Sequence, residues 1–321
     1  MEGSVLELGK PIGDAISRIQ FAPRSNNLLI SSWDSFLRLY DVDASAMRFE
    51  ALSDGALLDC CFVDESSALS VSSDGCVRRC DLLLGTQNLV GKHNDVVRYV
   101  EYSEQTGQAI TAGMDKKLMF WDMKSGNVGC TKNVDSDVWS LSLSGPRLLA
   151  VIGRKVYIYD LRNLKEPVQS KDSSMKYQIQ CISSFPSNEG YAIGSIDGCV
   201  ELKYFDPSED SGKGYAFRCH PKLRDCWSLA TVNDIRFHPR DDTFVTGDND
   251  GHAIIWNAKS RKKVFELKRH PNSVASVSYN QCGQLLAVAS SHTYQEANEV
   301  EEAPQIYIYK LEDSAKLGSS E

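Results

Sequence analysis

The chain of 321 residues has 35 basic and 43 acidic side chains, a formal net charge of −8 at pH 7. This excess of acid argues against unaided nucleic-acid binding, which needs basic groups to neutralise phosphates. The N-terminal segment MEGSVLELGK lacks the apolar core of a secretory signal, and no run approaches the roughly 18 apolar residues of a membrane helix. We therefore expect no membrane segment, and free thiols at the ten cysteines.

A sequence motif (here called a phrase) that ends in an aspartate recurs about every forty residues. It reads SSWDSFLRLYD (31–41), SVSSDGCVRRCD (70–81), TAGMDKKLMFWD (111–122) and AVIGRKVYIYD (150–160). The closing aspartates Asp41, Asp81, Asp122 and Asp160 are separated by 40, 41 and 38 residues. This period is typical of WD repeats, each of which forms one four-stranded propeller blade.

Each repeat predicts at least three strands. An apolar run such as LLISS (28–32) predicts one strand, and the alternating FLRLY (36–40) predicts the next. A further strand precedes each phrase, as in ISRIQFAP (16–23). Longer and less regular repeats follow, with first strands at QIQCISSFP (178–186), VNDIRFHP (232–239) and SVASVSYN (273–280).

The pattern predicts an all-β, seven-bladed WD-repeat propeller that occupies residues 1–311 as a single, monomeric domain. The seventh repeat has too few apolar residues left for an outer strand after Leu311. Because a propeller must join its first and last blades, we expect residues 4–8 (SVLEL) to supply that strand. Residues 312–321 are expected to be a disordered tail.

The third repeat contains a complete hydrogen-bond set of the kind found in WD-repeat blades: His93, Thr111, Asp115 and Trp121. The same residue types could form a catalytic arrangement. A structural role is favoured because other repeats keep parts of the set, as the sixth does with Thr246, Asp250 and Trp256. The chain has no glycine-rich phosphate loop, G-x-S-x-G or H-E-x-x-H motif. We therefore expect no catalytic residues, metal or cofactor.

Two groups of residues are candidates for partner binding. The residue before each turn aspartate should point to the top rim of the channel, and Trp33 there is suited to anchor a peptide; alternatively it packs against a neighbouring blade. The second group is cationic and would suit an acidic or phosphorylated peptide if the fold brings it together. Its members are Lys176, Arg218, His220, Lys222, Arg236 and Arg240.

The segments between the repeats resemble one WD-repeat family. They include LLDCCFVD (57–64), IYDLRN (158–163), SSMKYQIQCI (173–182), YAFRCH (215–220) and LLAVASSHTYQE (285–296). From about residue 10 to 311 the chain is similar to the mitotic-checkpoint family named budding uninhibited by benzimidazole three, and most similar to its plant members.

The resemblance implies a non-catalytic, seven-bladed adaptor of the spindle assembly checkpoint, found in the nucleus, in the cytoplasm and at kinetochores in mitosis. Its implied partners are a short motif of checkpoint kinases and pseudokinases, held across the top face, and a phosphothreonine motif of a kinetochore scaffold. The implied partner-binding residues are Trp33, Met114, Lys176, Tyr177, Gln178, Arg218, His220 and Arg240.

Four positions depart from the family pattern. Met114 stands where a tryptophan is usual, Ile179 and Gln180 replace a threonine and an arginine, and Pro221 replaces a basic residue. A lost arginine removes charge-assisted bonds worth about 1.5–3 kcal/mol. We therefore expect weakened capture of the usual motif.

Two alternatives remain open at the level of sequence. A related mRNA-export family shares the top-face motif and touches RNA through a basic edge. A substrate receptor of a cullin ubiquitin ligase is the other, because Tyr159-Asp160-Leu161-Arg162 matches the ending of its docking box.

Overall fold

The computed structural model describes residues 3–206, 208, 214–220, 230–293 and 302–311. These residues form 28 strands arranged in seven four-stranded antiparallel sheets. The predicted seven-bladed propeller is therefore confirmed. No helix in the described part of the chain has the length and hydropathy needed to cross a membrane. The predicted tail, 312–321, lies outside the described residues.

The first three blades follow the aspartate-closed phrases. Blade 1 contains β2 (Ile16–Phe21), β3 (Asn27–Ser32), β4 (Phe36–Asp41) and β5 (Ala46–Leu52). Blade 2 contains β6 (Leu57–Asp64), β7 (Ser67–Ser72), β8 (Cys76–Asp81) and β9 (Thr86–Lys92). Blade 3 contains β10 (Val97–Ser103), β11 (Gln108–Gly113), β12 (Lys117–Asp122) and β13 (Asn127–Asn133).

The remaining blades have the same strand order. Blade 4 contains β14 (Val138–Ser144), β15 (Arg147–Ile152), β16 (Lys155–Asp160) and β17 (Gln169–Asp172). Blade 5 contains β18 (Ile179–Ser184), β19 (Gly190–Ser195), β20 (Cys199–Tyr204) and β21 (Tyr215–Arg218). Blade 6 contains β22 (Val232–Phe237), β23 (Thr243–Asp248), β24 (Ala253–Asn257) and β25 (Lys262–Glu266). Blade 7 contains β26 (Val274–Tyr279), β27 (Leu285–Ser290), β28 (Gln305–Lys310) and β1 (Gly3–Val5).

The N-terminal strand closes the ring, as predicted, but over a shorter span. Strand β1 pairs antiparallel with β28, with Gly3 opposite Tyr309 and Val5 opposite Tyr307. The Leu6 amide continues the ladder by donating to Ile306 O at 2.8 Å. Leu6 and Leu8 pack against the apolar core between blades 7 and 1.

The innermost strand of each blade lines a central channel, and these inner strands run parallel to one another. Ser140 Oγ accepts a hydrogen bond from the Ile182 amide at 3.2 Å, and Ser142 Oγ accepts one from the Ser184 amide at 3.0 Å. From the first bond to the second, the acceptor and the donor both move two residues toward the C-terminus, as they do between parallel strands. Among the described residues, the loops that lead into inner strands therefore lie on one face, the upper face, and the loops that leave them lie on the lower face.

The apolar core lies between neighbouring blades. Leu29 and Leu37 of blade 1, for example, share one buried cluster with Cys60 and Ala68 of blade 2. The same kind of cluster joins blade 7 to blade 1 through Ile308. All nine described cysteines are free thiols. Each blade thus depends on its two neighbours for burial, which is why the ring must close.

Candidate partner-binding face

Seven turns on the upper face are held by one repeated backbone hydrogen bond. In each blade, the first residue of the turn between the second and third strands donates its amide to the carbonyl just before the inner strand. The donors and acceptors are Trp33 to Ala15, Ser73 to Ala56, Met114 to Val96, Gly153 to Asp137, Ile196 to Gln178, Asn249 to Thr231 and Ser291 to Ser273. These seven positions are therefore structurally equivalent around the channel mouth.

Two of the seven positions present a large apolar side chain to solvent. Trp33 exposes 38% of its surface and Met114 exposes 50%. Trp33 also lines a cavity of about 220 Å³ at the mouth of the channel, together with Arg98 and Gln180. Exposed apolar groups on a fixed backbone are suited to anchor a peptide, because little conformational entropy is lost on binding.

The turn that carries Trp33 is fixed from below by an arginine. Arg38 donates to Asp34 Oδ2 at 2.7 Å and to Ser32 Oγ at 2.8 Å. Burial acts to raise the pKa of Asp34, but the hydrogen bonds from Arg38 and Ser32 outweigh it and lower that pKa. Blade 2 repeats the arrangement, with Arg78 bound to Asp74 at 2.6 Å. The carboxylates at these turns are therefore ionised structural groups.

The predicted hydrogen-bond set of blade 3 forms a continuous relay. The Trp121 indole donates to Thr111 Oγ1 at 2.9 Å, which leaves the threonine hydroxyl to donate to His93 Nε2 at 2.7 Å. His93 Nδ1 then donates to Asp115 at 3.0 Å, since a carboxylate only accepts. The His93 side chain is 0% exposed. No substrate could reach it there, so the relay serves the fold.

Blade 6 contains a second relay, which corrects two sequence interpretations. His220 Nε2 lies 3.0 Å from Thr246 Oγ1, and His220 Nδ1 lies 2.7 Å from Asp248 Oδ2. The aspartate of this relay is therefore Asp248, whereas Asp250 bonds Arg269. His220 is also unavailable to a partner, because its side chain is 0% exposed.

The part of His220 in the relay could not be recognised from its position in the chain. It precedes its threonine by 26 residues, whereas His93 precedes Thr111 by 18. The longer connection before the inner strand of blade 6 accounts for the difference. The signal that could have found it was the Thr246 and Trp256 pair, which matches the Thr111 and Trp121 pair that accompanies His93. The indole of Trp256 donates to Thr246 at 3.0 Å.

The structure does not bring the predicted cationic group together. Lys176 is exposed in a loop of the upper face, and Arg218 pairs with Asp197 at 2.8 Å nearby. Arg236 lies on an inner strand beside Asp234, and Arg240 follows that strand on the lower face. The length of the inner strand separates them, so Arg240 cannot share a ligand with Lys176. Lys222 and Pro221 lie outside the described residues.

The segment from Lys176 to Gln180 divides into exposed and structural side chains. The Lys176 ammonium lies 5.5 Å from the Tyr177 ring centroid, at the surface. The Gln178 amide instead donates to Gly153 O at 2.9 Å and so fixes the neighbouring turn of blade 4. Ile179 is 1% exposed in the blade core, whereas Gln180 lines the channel cavity.

Charged side chains occupy the middle of the channel. Arg18 lies 3.7 Å from Asp59 and 3.5 Å from Glu101. Burial raises the pKa of both carboxyl groups, and the charge of Arg18 partly offsets this. Asp59 also accepts the Val100 amide at 2.9 Å, so it connects blade 2 to blade 3. Within the described residues, no group of three or more histidine, cysteine or acidic side chains is placed to hold a metal ion.

A closed ring of four-stranded blades, with hydrogen-bonded turns and Trp-Thr-His relays, defines a WD-repeat β-propeller. The family model "WD domain, G-beta repeat" matches residues 217–257 and 261–293. The chain is 46% identical to mitotic checkpoint protein BUB3.3 of Arabidopsis thaliana, over 97% of this chain and 100% of that protein. It is 41% identical to BUB3.1 of the same plant, over 96% and 93%. The chain therefore belongs to the BUB3 family of mitotic checkpoint WD-repeat proteins.

A more distant relative has a different name. The chain is 30% identical to mRNA export factor GLE2 of Chaetomium thermophilum, over 90% of this chain and 84% of that protein. The resemblance found in the connecting segments is confirmed by the higher identity to the checkpoint proteins.

Proposed function

We propose that this protein is a non-catalytic adaptor that binds short segments of checkpoint kinases or pseudokinases across its upper face. It would act in the nucleus and cytoplasm, and at kinetochores during mitosis. The observation that carries the proposal is the exposure of Trp33 and Met114 on equivalent, backbone-pinned turns at the channel mouth. Membership of the BUB3 family supports the same role.

The upper face also supports an altered preference for partners. Gln180 lines the cavity beside Trp33 at the position where the family resemblance implies an arginine. A neutral amide there cannot form the charge-assisted bonds of a guanidinium with a partner carboxylate or phosphate. Ile179 contributes differently, because its side chain is buried and its replacement of a threonine removes no group from the surface.

Peptide binding to paired variants tests this proposal. We expect the wild-type protein to bind the family's usual acidic kinase motif more weakly than BUB3.1 does. Restoring the charge with Gln180→Arg should tighten binding by about 10- to 100-fold, the equivalent of one charged hydrogen bond of about 1.5–3 kcal/mol. Isothermal titration calorimetry gives both affinities.

Met114→Trp should also tighten binding, by enlarging the apolar anchor that stands two blades from Trp33 on the same rim. Val168→Trp is the matched control, because Val168 is exposed but lies between the third and fourth strands of blade 4, on the lower face. An affinity of the wild-type protein equal to that of BUB3.1 would contradict the altered preference. A peptide affinity that is unchanged by Trp33→Ala would contradict the proposed binding site.

A second candidate function is mRNA export, favoured by the 30% identity to GLE2. RNA binding that weakens steeply with salt would support it, since phosphate contacts release counterions.

The cullin alternative depends on Arg162 on the lower face. Its guanidinium donates two hydrogen bonds to the Asp160 carboxylate, at 2.9 and 2.7 Å, and its side chain is largely exposed. Capture of a cullin adaptor that is lost on Arg162→Ala would support that function.

A further inference from the structure

The inner strand of every blade contains one extra residue just below the upper face. In blade 3, Val97 pairs with Gly113 and Tyr99 pairs with the adjacent Ala112, so Arg98 between them has no partner in the ladder. Such a β-bulge re-aims a side chain relative to the regular alternation of the strand. The bulge residues of blades 1 to 7, here called the bulge ring, are Ser17, Leu58, Arg98, Trp139, Gln180, Asn233 and Ala275.

The bulge ring surrounds the channel mouth. All of its members except Trp139 line the cavity of about 220 Å³ that also contains Trp33. This volume is below the roughly 300–1,000 Å³ of small-molecule sites, so it suits a single side chain of a bound peptide. The turn of Met114 is tied to the same surface, because its amide donates to Val96 O, two residues before Arg98, at 2.8 Å.

Arg98 is the charged member of the bulge ring, and the other six are neutral. Its guanidinium carbon lies 5.6 Å from the ring centroid of Trp139, the bulge residue of the next blade, which is a cation–π distance. Trp139 in turn packs against the apolar core between blades 4 and 5. The indole therefore provides a fixed face beside the guanidinium and leaves its N–H groups free to bind an anion.

The other two arginines of the channel have acidic neighbours. Arg18 lies between Asp59 and Glu101, at 3.7 and 3.5 Å, and Arg236 lies 3.7 Å from an aspartate of its own strand. No carboxylate of the described residues forms an ion pair with Arg98. Arg98 is therefore the arginine of the channel that a ligand can neutralise.

Two carboxylates also line the cavity, one residue further down the inner strands than the bulge ring. Both already accept hydrogen bonds from the next blade. Asp59 accepts the Val100 amide at 2.9 Å, and Asp234 accepts the Val277 amide at 3.0 Å. Each also faces one of the paired arginines, so neither is available to Arg98. Their charge below the cavity opposes a doubly charged phosphate more strongly than a singly charged carboxylate.

We propose that Arg98 determines specificity on the upper face by pairing with one carboxylate of the bound peptide, from an aspartate or glutamate that enters the channel mouth. This inference rests on the proposed function, since it names a further contact of the same peptide site. The two parallel N–H donors of a guanidinium match the two oxygens of a carboxylate. Trp33 and Met114 hold apolar side chains of the peptide, and Arg98 selects the acidic one.

Titration calorimetry with a synthetic peptide of the family's usual acidic kinase motif tests this contact. Arg98→Gln should weaken binding by about 10- to 100-fold, the loss of a charged hydrogen bond. Arg98→Lys keeps the charge without the planar pair of donors and should weaken binding less, by about three- to tenfold. Lys92→Gln is the matched control, because it removes one positive charge from the exposed outer strand of blade 2, away from the channel.

Peptides in which each acidic residue is replaced singly by its amide locate the partner carboxylate. One such replacement should weaken binding to the wild-type protein and have no further effect on Arg98→Gln, because both changes remove the same ion pair. The same coupling, smaller in size, should appear with Arg98→Lys. Thermal melts of the variants, with midpoints equal to that of the wild-type protein, show that the losses are not due to unfolding.

Three results would overturn the assignment of Arg98. They are an effect of Arg98→Gln no larger than that of Lys92→Gln, the absence of any coupled peptide position, and tighter binding when phosphoserine replaces the coupled acid. If Arg98→Gln leaves the affinity unchanged while Trp33→Ala lowers it, the assignment fails and the proposed function stands. A peptide that does not bind the wild-type protein contradicts both.

Discussion

At the scale of the residue, single polar atoms hold the propeller's turns in place. Thr111 Oγ1 stands between the Trp121 indole and His93, and Thr246 Oγ1 does the same for Trp256 and His220. Each hydroxyl satisfies two buried groups, so its removal costs more than one hydrogen bond.

Replacing this hydroxyl by a methyl group should therefore destabilise the folded protein. We expect Thr111→Val to lower the free energy of unfolding by about 2–4 kcal/mol, because an indole N–H and an imidazole nitrogen lose their partner. Thr131→Val, at an exposed position of β13, should change it by less than about 0.5 kcal/mol. Urea titrations of both variants measure the difference. Equal losses would contradict the relay's structural role.

At the scale of the element, three residues of strand β1 complete blade 7. Gly3 lies against the ring of Tyr309, and a Cβ there would approach ring carbons to 2.6 Å. The ring has little room to move, since Tyr309 is 3% exposed and its hydroxyl lies 2.9 Å from His270 Nε2. Glycine at this position therefore allows the closing strand to pack.

A side chain at Gly3 should weaken ring closure. We expect Gly3→Val to destabilise the fold by about 1–3 kcal/mol through overpacking, seen as a lower midpoint in a thermal melt. Gly9→Val is the matched control, because nothing lies within 4 Å of a Cβ at that position. A Gly3→Val midpoint no lower than that of Gly9→Val would contradict the need for glycine against the Tyr309 ring.

At the scale of the whole molecule, the apolar cores between blades join the ring into one unit. Clusters span blades 1 and 2 and, across the chain ends, blades 7 and 1. An open array of repeats can unfold in parts, whereas a closed ring loses two interfaces whenever one blade opens. The channel bond from Val100 to Asp59 adds to this coupling between neighbours.

Unfolding should accordingly be one cooperative transition. Tryptophan fluorescence reports on the surroundings of the five tryptophans, which include Trp121 in blade 3 and Trp256 in blade 6. Far-ultraviolet circular dichroism reports on the strands of all blades. We expect the two urea curves of the wild-type protein to coincide. Separate midpoints would mean that groups of blades unfold independently of the ring.

Much of this could be predicted from local patterns, because a WD repeat places its turn aspartate and strands within about forty residues. The relay of blade 3 was predictable for that reason. The relay of blade 6 was not, since its connection is longer and His220 resembled a surface cation. The cationic group was also misjudged, because only the direction of the inner strands separates Lys176 from Arg240.

The sequence by itself determined the blade count, the closing N-terminal strand, the checkpoint family and the rim positions of Trp33 and Met114. Periodicity gives the blades and the rim positions, and the lack of an outer strand in the last repeat gives the closing strand. The tertiary structure alone decided which polar groups are buried, which face each loop occupies, and that Gln180 rather than Ile179 meets the channel cavity. Such relations join residues many blades apart, and only ring closure brings them into register.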